Sequence, residues 1–391
     1  MTKQNRPAGE SFPGRRTVSC LVLTAGFGLT GAGTVMLGVL LPTLTQEWGM
    51  RDDTAGFLLF LQFLGSSAGA LLVGANRIRS LMTGYGLLVV SACTLAFAGR
   101  YLSFPIFFLF GLGLGTTMTT TSLLFSDRYG NDRAAVLERL NFAWSAGAMV
   151  GPMLFLPFLR TASLRSLFFT HDGLFLLLLV WVIFRERAEA TCVDSILTAS
   201  PVRGPAPLGS LLTLLVLAMC SVGVESALSG WLTTYSHRAD PKGGGAAALA
   251  TSIFWLGMVL SRLLFSTRLL AIVGRSRVLH ATLWGVAASV GLLVVAHHPV
   301  PIRLAAGLAG LCMGPVYPLL LSFLLERFPH GWVFCVAGIG SALLPWLTGL
   351  LSAYYGSLRY GLIAPCGAAL LMVVLFWMSL RHAPSSIASS R

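Results

Sequence analysis

One carboxylate, Glu225, stands inside the stretch Cys220–Ser236, CSVGVESALSGWLTTYS, which is otherwise apolar, small or hydroxylated. Counted from Ser210, it lies roughly 15 residues into an apolar run, or about 23 Å along a helix. Of the 14 acidic residues it is the only one well inside such a run. Glu138 and Asp172 fall at run ends, and Glu326 sits beside Arg327. A charge at the centre of a bilayer costs at least ~2.5–3.5 kcal/mol, so an acid there must face a cavity, pair with a cation or carry a proton. Glu225 is therefore expected to bind a solute or a coupling proton; the competing reading is a structural hydrogen bond between helices. Ser229 and Thr233 follow at i+4 and i+8 and share its face. Trp231 and Tyr235 lie nearer the outer end, either as interfacial aromatics or as the lining of an outer mouth.

Other polar side chains within apolar runs extend this set. Asn141 offers both a donor and an acceptor, with Trp144 and Ser145 one turn on. Gln62 is the other amide well within a run. Thr116 and Thr120 are candidates, although threonines often bond back to their own helix. Tyr317 and Trp346 lie in proline-interrupted segments, where they line a cavity or pack a core.

The sequence holds no catalytic constellation: no GxSxG, no phosphate-binding Gly-Lys-Ser loop and no metal cluster. The seven cysteines form no CxxC, and the paired His297-His298 reads as a solvated turn. No enzymatic activity, cofactor or metal is expected.

The elements that must position these residues are membrane spans. The 391 residues are 55% hydrophobic and only 10% charged, against about 25% charged in soluble domains. Apolar runs long enough to be spans, at roughly 20 residues each, number about twelve. The strict alternation of barrel strands is absent. The net charge of +13 is not gathered on a soluble segment, which argues against nucleic acid as a partner. The basic residues lie in short loops, and the loops on the side of the N-terminus hold roughly twice as many as those opposite, which places both termini in the cytoplasm. The start resembles a signal n-region, but the run from Val18 to Leu44 is too long for a removable signal.

The polar segment Arg185–Pro207 separates two sets of six runs and reads as a flexible linker. The expected organisation is an N-terminal six-helix half over 1–184, a cytoplasmic linker over 185–208 and a C-terminal half over 209–391. The halves repeat: Gly111, Gly115, Asp127 and Arg128 match Gly310, Gly314, Glu326 and Arg327, each pair 199 residues apart. Gly147 precedes Pro152 by five positions, as Gly340 precedes Pro345. Two parallel six-span halves with a site between them are a secondary-transporter architecture.

These features resemble the major facilitator superfamily along the whole chain. Three stretches are similar to its fucose–proton symporter and hexose-transporter group: Glu138–Pro152 (ERLNFAWSAGAMVGP), Gly223–Tyr235 (GVESALSGWLTTY) and Gly257–Arg262 (GMVLSR). The resemblance implies an all-α, twelve-helix fold. It also implies alternating access to a central site and a cytoplasmic gate at Arg77, Arg79 and Arg262, the last of which could instead snorkel to lipid phosphate. Three departures stand out. The loop Gly69–Arg79 lacks the family's Asp, the first span has no carboxylate, and Met153 to Phe155 replace the glycine pair of drug–proton antiporters. The expected function is transport of a small, neutral, sugar-like solute across a cytoplasmic (inner) membrane by a proton-coupled monomer. Its partners are the solute, protons and the bilayer. Sugar sites, however, usually carry more amides and carboxylates than this chain offers. The alternatives are proton-driven export of amphipathic compounds and a transport-dead sensor or scaffold.

Overall fold

The computed structural model describes residues 13–129, 133–160, 164–185, 208–241, 246–265, 273–327 and 332–381. Among the described residues the regular structure is helical throughout. In a hydrocarbon solvent each backbone N–H and C=O needs a partner within its own segment, and only a helix supplies it for a lone run. The helices are α1 (Pro13–Glu47), α2 (Asp52–Gly69), α3 (Arg77–Leu95), α4 (Arg100–Tyr129), α5 (Arg133–Arg160) and α6 (Leu164–Arg185), then α7 (Leu208–Ala239), α8 (Ala248–Phe265), α9 (Arg275–Val295), α10 (Pro299–Met313) and α11 (Val316–Arg327), and finally α12 (Trp332–Tyr355), α13 (Leu358–Gly361) and α14 (Ile363–Arg381).

Ten described stretches are long and apolar enough to cross a membrane. The apolar part of α8 is shorter, and α5, at 28 residues, carries Glu138, Arg139 and Asn141 near its start. With α10–α11 and α13–α14 each taken as one broken crossing, the result is the twelve-helix bundle expected from the sequence. The first and last described helices therefore share one end, called here the terminal end. Of the expected linker, 186–207 lies outside the described residues.

The glycines paired in the sequence turn out to be crossing points. A Cβ on Gly111 would strike the carbonyl of Gln62, and one on Gly115 the carbonyl of Ser66, so α4 lies backbone-to-backbone on α2. Their counterparts do the same in the second half: Gly310 meets the Phe254 carbonyl, and Gly314 meets Ser261, so α10 lies on α8. Gly147 of α5 abuts the Gly28 carbonyl of α1, as Gly340 of α12 abuts the Met219 carbonyl of α7. Small residues at such points let helices associate by van der Waals packing, since lipid supplies no hydrophobic drive between them.

The two halves meet along α1–α7, α2–α12 and α5–α8. Gly38 lies against Ser229 and Gly230, and Gly56 against Pro345, Trp346 and Gly349. The Ser252 hydroxyl donates to the Met149 carbonyl at 2.8 Å. Asn141, Ser145 and Arg262 sit on the last of these seams.

Candidate transport site

On α5, Asn141, Trp144 and Ser145 occupy one and a bit turns. On α8, Trp255 and Arg262 are seven apart, two turns on the same face. The α5–α8 seam brings these faces together. Arg262 Nη1 donates to the Asn141 backbone carbonyl at 3.0 Å and to the buried Ser145 hydroxyl. Ser145 in turn donates to that carbonyl at 2.8 Å. The rings of Trp144 and Trp255 meet edge to face, with centroids 5.0 Å apart and planes at 81°.

Helix α7 closes the group. Trp255 donates its indole N–H to Ser229 Oγ at 3.1 Å. Thr233, one turn further along the same face, shares a hydrogen bond with Thr251 of α8 at 2.8 Å. Glu225, one turn before Ser229, is near enough to Arg262 and to Tyr317 of α11 to act on both electrostatically. No hydrogen-bonding partner reaches its carboxylate among the described residues. Glu138 also lies within electrostatic reach of Arg262.

The arrangement leaves donors free. A guanidinium carries five N–H donors, yet among the described residues only Nη1 has hydrogen-bond partners; Nε is sealed from solvent with none among them. The indole N–H of Trp144 is likewise sealed and has no partner among the described residues. Leaving a buried donor unmet costs about 1–3 kcal/mol, more for a charged group. Two such donors side by side can receive an acceptor.

The remaining sequence candidates are placed elsewhere. Gln62 donates to the Thr34 carbonyl of α1 at 2.8 Å, tying helices within one half, and its Oε1 is buried without a partner. Thr116 donates to the carbonyls of Gly69 and Leu112. Thr120 is fully buried with its hydroxyl unpartnered. Trp231 is fully buried and donates to the Pro345 carbonyl of α12 at 2.9 Å. The Tyr235 hydroxyl reaches the carbonyls of Leu293 and Ala296 at 2.8 and 2.7 Å. Both aromatics are thus held inside the protein rather than at a lipid or solvent boundary. Trp346 packs on Phe60 and Phe57 of α2 at 5.4 and 6.2 Å between centroids. Arg77 bonds the Gly74 carbonyl at 2.7 Å and lies 3.7 Å from Asp127 of α4. Arg79 gives its backbone N–H to the capping side chain of Asn76. Trp255 is a site member that sequence reasoning passed over; its seven-residue offset from Arg262 was the available signal.

Residues 23–243 match the Major Facilitator Superfamily as a family. The chain belongs to that superfamily. With its multiple apolar helices it is a multi-pass membrane protein of a transporter family. Among curated proteins, the 4-hydroxybenzoate transporter of Acinetobacter baylyi is 29% identical over 161 residues, 39% of this chain and 35% of that protein. A benzoate transport protein of the same organism is 32% identical over 108 residues, 25% of this chain and 23% of that protein. The matches thus span about a third and a quarter of those relatives. Neither is named for a sugar, so the fucose and hexose resemblance finds no support among them.

Proposed function

We propose that this superfamily member carries a small aromatic carboxylate across the cytoplasmic membrane by proton-coupled alternating access, with both termini in the cytoplasm. The observation that carries the substrate class is the pair of sealed, unpartnered donors, Arg262 Nε and Trp144 Nε1, set beside two indole rings. A carboxylate supplies the acceptors that the guanidinium fork lacks, and charge-assisted bonds of this kind are about twice as strong as neutral ones. Edge-to-face aromatic pairs contribute about 0.5–1.5 kcal/mol beyond burial, so a benzene ring suits the indole pocket. The relatives' names point to the same class. A neutral sugar answers none of these features as well. Gln62, Thr116 and Tyr235 already have protein partners.

Arg262 also explains how a solute and a proton share one site. In this structure its neighbours are Glu225, Glu138 and the α5 carbonyl. A proton on Glu225 neutralises one of the two acids acting on the guanidinium and frees it for the solute's carboxylate. The solute then bridges α5 and α8, one helix from each half, so occupancy bears on the seam that must move. The test is ligand stabilisation of purified protein. A ligand at 100 times its Kd stabilises by about 2.7 kcal/mol. Benzoate-class acids are expected to raise the melting temperature, benzamide to raise it less at the same concentration, and hexoses to leave it unchanged. A hexose response without an aromatic-acid response overturns the reading.

A further inference from the structure

At the end of the bundle opposite the termini, three helices from the two halves converge on one acid. Asp52, the first residue of α2, is only 8% exposed. Arg238, in the last turn of α7, grips it with both arms: Nη1 to Oδ2 at 2.7 Å and Nη2 to Oδ1 at 2.6 Å. Ser352 of α12 donates to Oδ2 as well. The partners lie 186 and 300 residues from Asp52 in sequence, and both belong to the other half.

The seam directly beneath is narrow. Gly56, one turn below Asp52, has the backbone of Pro345, Trp346 and Gly349 at 3.2 Å from where a Cβ would sit. A Cβ on Gly349 would strike the Asp52 carbonyl. Trp231 fills the next layer, its indole bonded to Pro345. Below it, Leu59 of α2 packs against Gly230 of α7 and is fully buried. A solute cannot pass this layer unless α2 moves away from α7 and α12.

We infer that Asp52, Arg238 and Ser352 form a releasable latch that holds this end of the transporter shut. Release is built into the placement of the charges. Asp52 stands at the N-terminus of its helix and Arg238 at the C-terminus of its own, where each is favoured by the helix dipole. Each charge keeps that stabilisation after the halves part. The Arg238 side chain is 41% exposed, so water replaces the lost bonds on that side. A fully sealed pair would lack the second compensation and would hold the halves together more tightly. Asp53 is the internal control: its neighbour at 3.6 Å is Arg51 of the same half. The latch does not depend on which solute is carried.

The experiment reads Leu59→Cys with a membrane-impermeant maleimide applied from the side opposite the termini, scoring modification on the peptide containing position 59. Labelling is expected to be slow in the otherwise unaltered chain. It should be at least ~10-fold faster with Asp52→Asn or Arg238→Gln, intermediate with Ser352→Ala, and unchanged with Asp53→Asn, because a bidentate charged contact supplies more than an exposed single one. Should Asp52→Asn not fold, the part-exposed Arg238→Gln carries the test. Labelling within twofold of the parent in Arg238→Gln overturns the latch, as does equal acceleration by Asp53→Asn.

Discussion

Replacing Arg262 by glutamine removes the cation at the α5–α8 seam and leaves a side chain able to keep one hydrogen bond. In the structure Arg262 engages Asn141 and Ser145 through Nη1 and holds Nε in reserve. A hydrogen bond to a charged group contributes about 1.5–3 kcal/mol. At 1.4 kcal/mol per tenfold, losing it weakens carboxylate binding by about 10- to 150-fold. The lost contact with α5 shifts the protein's own conformational balance, and that part falls equally on every ligand. The assay therefore compares two ligands in one protein: a labelled benzoate-class acid and its neutral amide, by equilibrium binding in detergent. The acid should lose ~10-fold or more in Kd relative to the amide. Arg262→Lys, which keeps charge but not the planar fork, should fall between. Equal losses for acid and amide would refute the assignment of Arg262 to the carboxylate.

Other substitutions separate site from scaffold. Trp255→Leu keeps an apolar side chain but removes the edge-to-face partner of Trp144 and the indole bond to Ser229; competition binding should show aromatic over aliphatic acid preference dropping by about 3- to 10-fold, in line with ~0.5–1.5 kcal/mol for such aromatic pairs. Gly147→Ala drives a methyl into the Gly28 carbonyl and should lower stability by about 1–3 kcal/mol. Gly86→Ala, on α3 with open space around it, should instead raise stability by about 0.5–1 kcal/mol; thermal melts of the two variants check both signs. Trp231→Phe deletes the bond to Pro345 and should cost about 0.5–1.5 kcal/mol of stability, with solute affinity in binding assays unchanged.

The fold was readable because membrane helices leave direct traces. Apolar runs mark crossings, and Gly111, Gly115, Gly147 and their partners mark contacts that tolerate no side chain. Glu225 was readable for the same reason: an acid is expensive in an apolar run. Its surroundings were harder to see. The Arg262 bond to α5 ends on a backbone carbonyl, and carbonyls have no sequence signature. An amide that ties two helices, such as Gln62 to Thr34, looks in sequence like one that faces a cavity. Asp52 and Arg238 each read as an ordinary helix-end charge, and only the packing of the two halves brings them to 2.6 Å.

Proton-driven uptake tests the central claim most directly. Proteoliposomes with an imposed pH gradient receive a labelled benzoate-class acid or a labelled hexose, with the native chain or Glu225→Gln. The account predicts that the acid accumulates above equilibrium only with the gradient and that the hexose stays out. It further predicts that Glu225→Gln still exchanges acid but no longer accumulates it. Accumulation of hexose, or acid accumulation by Glu225→Gln equal to that of the native chain, would contradict it.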